Sequence, residues 1–167
     1  GVITGLGAVT NTAKIAPRSS VAVIGVGGVG LNSIQGAALS GARMIVAVDL
    51  LDNKLEAALT FGATHTVNAS QADAVAAVKT LSGGDGVDYA FVTVGNAAAV
   101  SQAFDMIRAG GSVVVVGLPK ASDTVALNIH RLIGERHVVG SPMGSTRLSV
   151  DVPRLVELYQ QGKLKLD

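Results

Sequence analysis

Residues 21–30 constrain the fold of this chain more than any other stretch. An apolar, β-branched run, Val21-Ala22-Val23-Ile24, passes directly into Gly25-Val26-Gly27-Gly28-Val29-Gly30, and then into residues 31–39, whose apolar positions have helical spacing. The pattern is strand, tight turn, helix. Each glycine has its own physical reason: Gly25 lets the chain leave the strand sharply, Gly27 keeps side-chain bulk away from a pyrophosphate, and Gly30 lets the helix lie close on the sheet. The first N–H groups of the helix then favour negative charge. By itself the motif is weak. Asp49 strengthens it, because it ends the next apolar run, Met44 to Val48, at about the 20-residue separation where a carboxylate meets the ribose of a dinucleotide.

The rest of the chain repeats the alternation. Strands are expected at 21–26, 43–48, 65–67, 87–92, 112–116 and 137–140, with helices at 6–15, 31–39, 54–61, 72–81 and 97–107 between them. Asp52 or Asn53 is the expected cap of the third of these helices, and Gly110-Gly111 the breaker before the strand at 112. A helical turn at 130–134 and a closing helix from Val152 to Gln161, opened by Asp151 and Pro153, complete the reading. Such alternation predicts an α/β fold: a Rossmann-type, doubly wound parallel sheet of six strands, order 3-2-1-4-5-6, with helices on both faces. Thr124 to Ile129 reads as an extra edge strand outside this alternation, and a strand there is suited to pairing with its twin in a homodimer. All 167 residues fit one domain.

Composition narrows the function classes. With 3 Phe, 2 Tyr and no Trp, the core must be built from Val, Ala, Leu and Ile, and 21 Gly permit close approaches. Lys and Arg are scattered and the formal net charge is +1, which disfavours a nucleic-acid partner. The apolar runs are too short for a bilayer span and no leader-like segment opens the chain. The absence of cysteine excludes disulfides and thiolate metal sites and is compatible with the cytoplasm. His65, His130 and His137 lack ligand spacing, so no metal site is expected within the chain. Asp73, Asp85 and Asp88 read as helix-start or loop acids, and no serine has a nucleophile-elbow setting.

Thr4-Gly5-Leu6-Gly7-Ala8, Val23 to Leu31, Val46-Ala47-Val48-Asp49 with Lys54 five residues on, Phe61-Gly62-Ala63-Thr64 and Val116-Gly117-Leu118-Pro119 together resemble the cofactor domain of zinc-type medium-chain alcohol dehydrogenases. The likeness spans the whole chain and is nearest to the branch holding alcohol dehydrogenases and thiol-linked formaldehyde dehydrogenases. It implies an NAD-binding domain that positions nicotinamide for hydride transfer between an alcohol and its aldehyde or ketone. Thr4 and Val29 would then flank the nicotinamide, Gly25, Gly27, Gly28 and Gly30 would form the pyrophosphate turn, and Asp49 and Lys54 would meet the adenosine ribose. Val94, Gly95, Val116, Gly117 and Leu118 would line the crevice, with an arginine of the family replaced by Asn96. The resemblance also implies that zinc and its ligands belong to a catalytic domain outside this chain, which opens on Gly1 rather than Met and reads as an excised piece, inactive alone. A carboxylate at Asp49, with Leu50 and Leu51 rather than an arginine beside it, favours NAD over NADP. A zinc-free reductase of the same superfamily and an NAD-sensing regulatory domain remain alternatives.

Overall fold

The computed structural model describes residues 1–166. Its six strands, β1 (Ser20–Ile24), β2 (Met44–Asp49), β3 (His65–Asn68), β4 (Val87–Val92), β5 (Ile107–Val115) and β6 (His137–Gly140), form one sheet in the order β3-β2-β1-β4-β5-β6. Every neighbouring pair is parallel. This is the expected Rossmann-type order, and it places β1 and β4 side by side at the point where the winding reverses.

The period-2 geometry of the strands divides the apolar residues between two faces. Ala22, Ile24, Met44, Val46, Val48, Ala90 and Val92 face α4 (Ala74–Leu81) and α5 (Ala97–Met106), which contribute Val78, Val100, Ala103 and Phe104. Val21, Val23, Ile45, Ala47, Phe91 and Val114 face the other layer, where α2 (Gly28–Leu39) and α3 (Asp52–Thr60) supply Ile34, Ala37, Leu55 and Ala58. Burial of each large aliphatic or aromatic side chain contributes about 1.5–3 kcal/mol. The two layers therefore hold the strand ends in fixed register.

The first helix starts earlier than expected. α1 (Val2–Gly7) leads into a π-helical turn, Ala8–Ala13, which ends at Lys14 in the left-handed region. Glycine explains the shift, because a side chain on Gly5 would run into the Val29 carbonyl, and so α1 lies directly on the start of α2. A short α6 (Ile129–Leu132) and a closing α7 (Leu148–Gln160) complete the chain. α7 begins before the expected Val152, its first turn held by Asp151 Oδ2, which accepts from Arg147 N at 2.8 Å.

The expected extra edge strand at Thr124 to Ile129 is not formed. Residues 124–128 have no strand pairing, and Ile129 already belongs to α6, capped by the Asn128 side chain accepting from His130 N at 3.0 Å. Val125 and Leu127 alternate as a strand would, but they pack onto the α4 and α5 layer with no neighbouring strand to complete a ladder. Asp52 and Asn53 do not cap α3 either. The N-cap is Leu51, and Asp49 Oδ1 accepts from Leu50 N at 2.8 Å and Leu51 N at 3.2 Å just before the helix. Gly110, with φ of +74°, sits inside β5 as an irregularity rather than before it.

At the N-terminal ends of the strands, Asp88 forms a clamp. Its Oδ2 accepts from Ser20 N at 2.7 Å and Ser20 Oγ at 2.8 Å, while its Oδ1 accepts from Arg108 Nε at 2.6 Å. Burial alone would raise the Asp88 pKa, but the Ser20 and Arg108 donors outweigh it and hold the carboxyl below its ordinary value. Asp88 is thus a β4 residue tying β1 to β5 rather than a loop acid. Among the described residues, no helix is long and apolar enough to cross a membrane.

Candidate dinucleotide site

The site begins where β1 ends. Gly25 turns the chain with φ of +89°, a region that L side chains rarely adopt, and a Cβ there would also collide with the Val94 side chain. Gly30 is closed in a different way: its Cβ would strike the Gly25 carbonyl. Gly27 and Gly28 are the opposite case, since a Cβ on either meets nothing within 4 Å. The turn is therefore packed tightly on its inner side and open on its outer side.

α2 starts at that open side. Its N-cap is Gly27, which makes no side-chain capping bond, so the first N–H groups of the helix are left for another acceptor. A cleft of about 220 Å³ lies there, lined by the turn from Gly25 to Gly30 and by Asp49, Lys54, Thr93 and Val94. The cradle that Cβ atoms at Gly27 and Gly28 would fill, set against an uncapped helix start, fits a pyrophosphate.

Asp49 closes one side of this cleft. Its Oδ2 accepts from Val26 N at 2.7 Å, which ties the carboxylate to the turn itself. Beyond it a second hollow of about 490 Å³ runs along the ends of β1, β2 and β4, lined by Leu50, Leu51, Ala69, Val94, Asn96, Ala99 and Gln102 among others. Leu50 and Leu51 are 61% and 51% exposed and give this hollow an apolar wall beside the Asp49 carboxylate. Asn96 spends its side-chain oxygen on capping α5, accepting from Ala98 N at 2.8 Å.

The remaining expected residues fall into separate places. Gly95 and Gly117 let the loops after β4 and β5 pass in backbone contact, because a Cβ on Gly95 would meet the Leu118 carbonyl and one on Gly117 the Val94 carbonyl. Leu118 is 93% exposed at this mouth. Val116 lies beneath it, its side chain in the core and its N–H donating to Val92 O at 2.9 Å. Val29 joins the turn cleft. Thr4 stands apart from both hollows on α1, where its carbonyl packs against Gly144 in the loop after β6. A larger hollow of about 570 Å³, lined by Asp73, Lys79, Gln102 and Asp105 among others, lies between α4 and α5, away from the glycine turn.

Thr93, Ala69 and Gln102 line these hollows without a signature in the sequence. A threonine after a strand has no distinguishing pattern, and Ala69 and Gln102 reach the hollow only through the winding of the sheet. Among the described residues, no group of three or more His, Asp or Glu side chains could hold a metal ion, so the donors present do not fit zinc.

A family profile described as zinc-binding dehydrogenase matches residues 28–161. The chain belongs to this family. Among curated relatives, the class-3 alcohol dehydrogenase of Cereibacter sphaeroides is 39% identical over 175 residues, an alignment covering 100% of this chain and 46% of the relative. The S-(hydroxymethyl)glutathione dehydrogenase of Paracoccus denitrificans is 36% identical over 174 residues, with 100% and 46% covered. The crystal structure of benzyl alcohol dehydrogenase from Acinetobacter calcoaceticus superposes with a TM-score of 0.94 at 37% identity, covering 98% of this chain and 45% of that one. The chain thus spans a little under half the length of these zinc-binding dehydrogenase relatives, and the resemblance read from its motifs is to the same family.

Proposed function

We propose that this chain is the NAD-binding domain of a zinc-dependent alcohol dehydrogenase, positioning the nicotinamide for hydride transfer between an alcohol and its aldehyde or ketone. The observation that carries the reading is the turn at residues 25–30: closed inwardly at Gly25 and Gly30, open at Gly27 and Gly28, and bonded through Val26 N to the Asp49 carboxylate. NAD, when bound, supplies the hydride acceptor.

The chain's own residues bind and orient. Gly27, Gly28 and Gly30 would present backbone N–H groups to the pyrophosphate, while Gly25, whose own N–H donates to Val48 O at 2.8 Å, turns the chain. Asp49 keeps lone pairs for ribose hydroxyls, with Lys54 lining the same cleft. Thr4 and Val29 would flank the ring, brought near each other by the packing of Gly5 on the Val29 carbonyl. Val94, Gly95, Val116, Gly117 and Leu118 would form the wall of the crevice and, through backbone groups, orient the carboxamide. Such positioning can supply about 7–11 kcal/mol of a hydride-transfer barrier. Zinc, with its ligands and the alcohol pocket, belongs in this reading to the part of the enzyme beyond the chain.

The reading extends to a homodimer. Residues 124–128 have no strand partners, and Ile129 and Ile133, each 76% exposed, follow them. Pairing of this segment with its twin across a two-fold axis would complete its ladder.

Calorimetric titration with NAD, NADP and S-adenosylmethionine tests the cofactor reading. Wild type is expected to bind NAD most tightly, and Asp49→Ser to lose most of the preference over NADP. Tighter binding of NADP than NAD by wild type would refute the role given to Asp49.

A further inference from the structure

The peptide between Gly25 and Val26 is held at both poles by side chains from the two strands that flank β1. Its N–H donates to Asp49 Oδ2 at 2.7 Å, from the β2 side. Its carbonyl accepts from Thr93 Oγ1 at 2.6 Å, from the end of β4. The same hydroxyl lies 3.1 Å from Ile24 O, and the Thr93 N–H donates to Ile24 O at 3.0 Å, so the side chain is fixed by its own backbone. The hydroxyl also occupies the space between the two inner glycines, 3.0 Å from a Cβ built on Gly25 and 3.2 Å from one built on Gly30.

This peptide is where the turn has most freedom to go wrong. Gly25 has no side chain and lies in the left-handed region, so little in its own torsions fixes the plane of the following peptide. Rotation of that plane would bring a carbonyl oxygen toward the open side at Gly27, where it would repel an anion instead of attracting one. Gly25 is buried, so its carbonyl has no ready water to replace a lost partner.

We infer that Thr93 is a positioning residue for pyrophosphate recognition: its hydroxyl holds the Gly25 carbonyl turned away from the phosphates while Asp49 holds the Val26 N–H. The inference rests on the nucleotide-binding reading above and adds a division within it. Thr93 acts on the pyrophosphate part of the ligand and leaves the adenosine part, at Asp49 and Leu50, untouched.

The test compares wild type with Thr93→Val, which keeps the shape and removes the donor, and Thr93→Ser, which restores it. Each is titrated with NAD, ADP-ribose and adenosine, the last by NMR at high concentration. Thr93→Val is expected to weaken NAD and ADP-ribose by about threefold to tenfold, the range for one net hydrogen bond, with adenosine unchanged. Thr93→Ser is expected to recover affinity for both pyrophosphate ligands. Unchanged ADP-ribose affinity in Thr93→Val, or equal losses for ADP-ribose and adenosine, would overturn the inference. If Thr93→Val does not fold, Thr93→Ala carries the same expectations. Failure of wild type to bind any of the three ligands would instead overturn the nucleotide reading, and this inference with it.

Discussion

The two ends of the sheet use the same chemical group for opposite purposes. At the N-terminal ends, Asp88 gathers Ser20 N, Ser20 Oγ and Arg108 Nε, closing β1, β4 and β5 against one another. At the C-terminal ends, Asp49 gathers Val26 N, Leu50 N and Leu51 N, all backbone groups of the loops that border the open cleft. One carboxylate ties strand to strand beside an arginine; the other shapes loops and stands next to space. The difference teaches that stability and binding are spatially divided in this fold: the winding puts the glycine turn and its uncapped helix start at the carboxyl ends, whereas the hollow of about 270 Å³ at the other end is lined by Asp88 and Arg108, which already pair with each other.

This contrast is open to being broken by substitution. The largest effect is expected for Gly30→Ala, whose Cβ must displace the Gly25 carbonyl: overpacking should cost about 1–3 kcal/mol in urea unfolding and abolish detectable NAD binding by calorimetry. Asp88→Asn should come next in stability, losing about 1–3 kcal/mol while NAD affinity stays close to wild type. Its pH dependence has a definite sign. Because the folded Asp88 pKa lies below its ordinary 3.8, its contribution is present above that value and disappears as pH falls through the lowered one. Acid unfolding curves of Asp88→Asn should therefore lack part of the wild-type loss of stability below about pH 4. An equal acid dependence in both proteins would remove the clamp from the account.

Side-chain changes at the other end, unlike the backbone collision at Gly30, should act on binding and spare folding. Asp49→Ser is expected to weaken NAD by about tenfold, the scale of a charged hydrogen bond, with a smaller effect on NADP. Lys54→Ala should have the smallest consequence, about a twofold to threefold loss, because a half-exposed lysine contributes little beyond a screened charge. A large unfolding effect from Lys54→Ala would blur the division between the two ends.

What could be read from sequence followed from local spacing. The glycine turn, the strand-ending Asp49 and the alternation of apolar runs each have short-range signatures, and right-handed crossovers convert them into the observed strand order. The clamp had no such signature, since Asp88 meets Ser20 across 68 residues of chain and looks locally like a loop acid. Thr93 was hidden for the same reason, its acceptor at Gly25 lying 68 residues away. Residues 124–129 have the alternation of a strand, but a strand exists only with a partner, and Val125 and Leu127 satisfy their side chains against the helices instead. The α3 cap falls at Leu51 rather than at Asp52 or Asn53 because the Leu51 carbonyl already accepts from Lys54 N at 3.1 Å and Leu55 N at 3.2 Å, while the Asp52 side chain turns to accept from Asn68 Nδ2 at 2.6 Å.

The openness of the turn gives the most direct measurement. Gly27 has φ of −86° and ψ of −167°, extended backbone that alanine adopts freely, and a Cβ there meets no atom of the protein within 4 Å. Thermal unfolding and NAD titration of Gly27→Ala, run side by side with wild type, therefore separate the fold from the ligand. The account predicts an unchanged unfolding midpoint and a loss of NAD affinity of tenfold or more, about 1.4 kcal/mol. Undiminished NAD binding by a stable Gly27→Ala protein would contradict it.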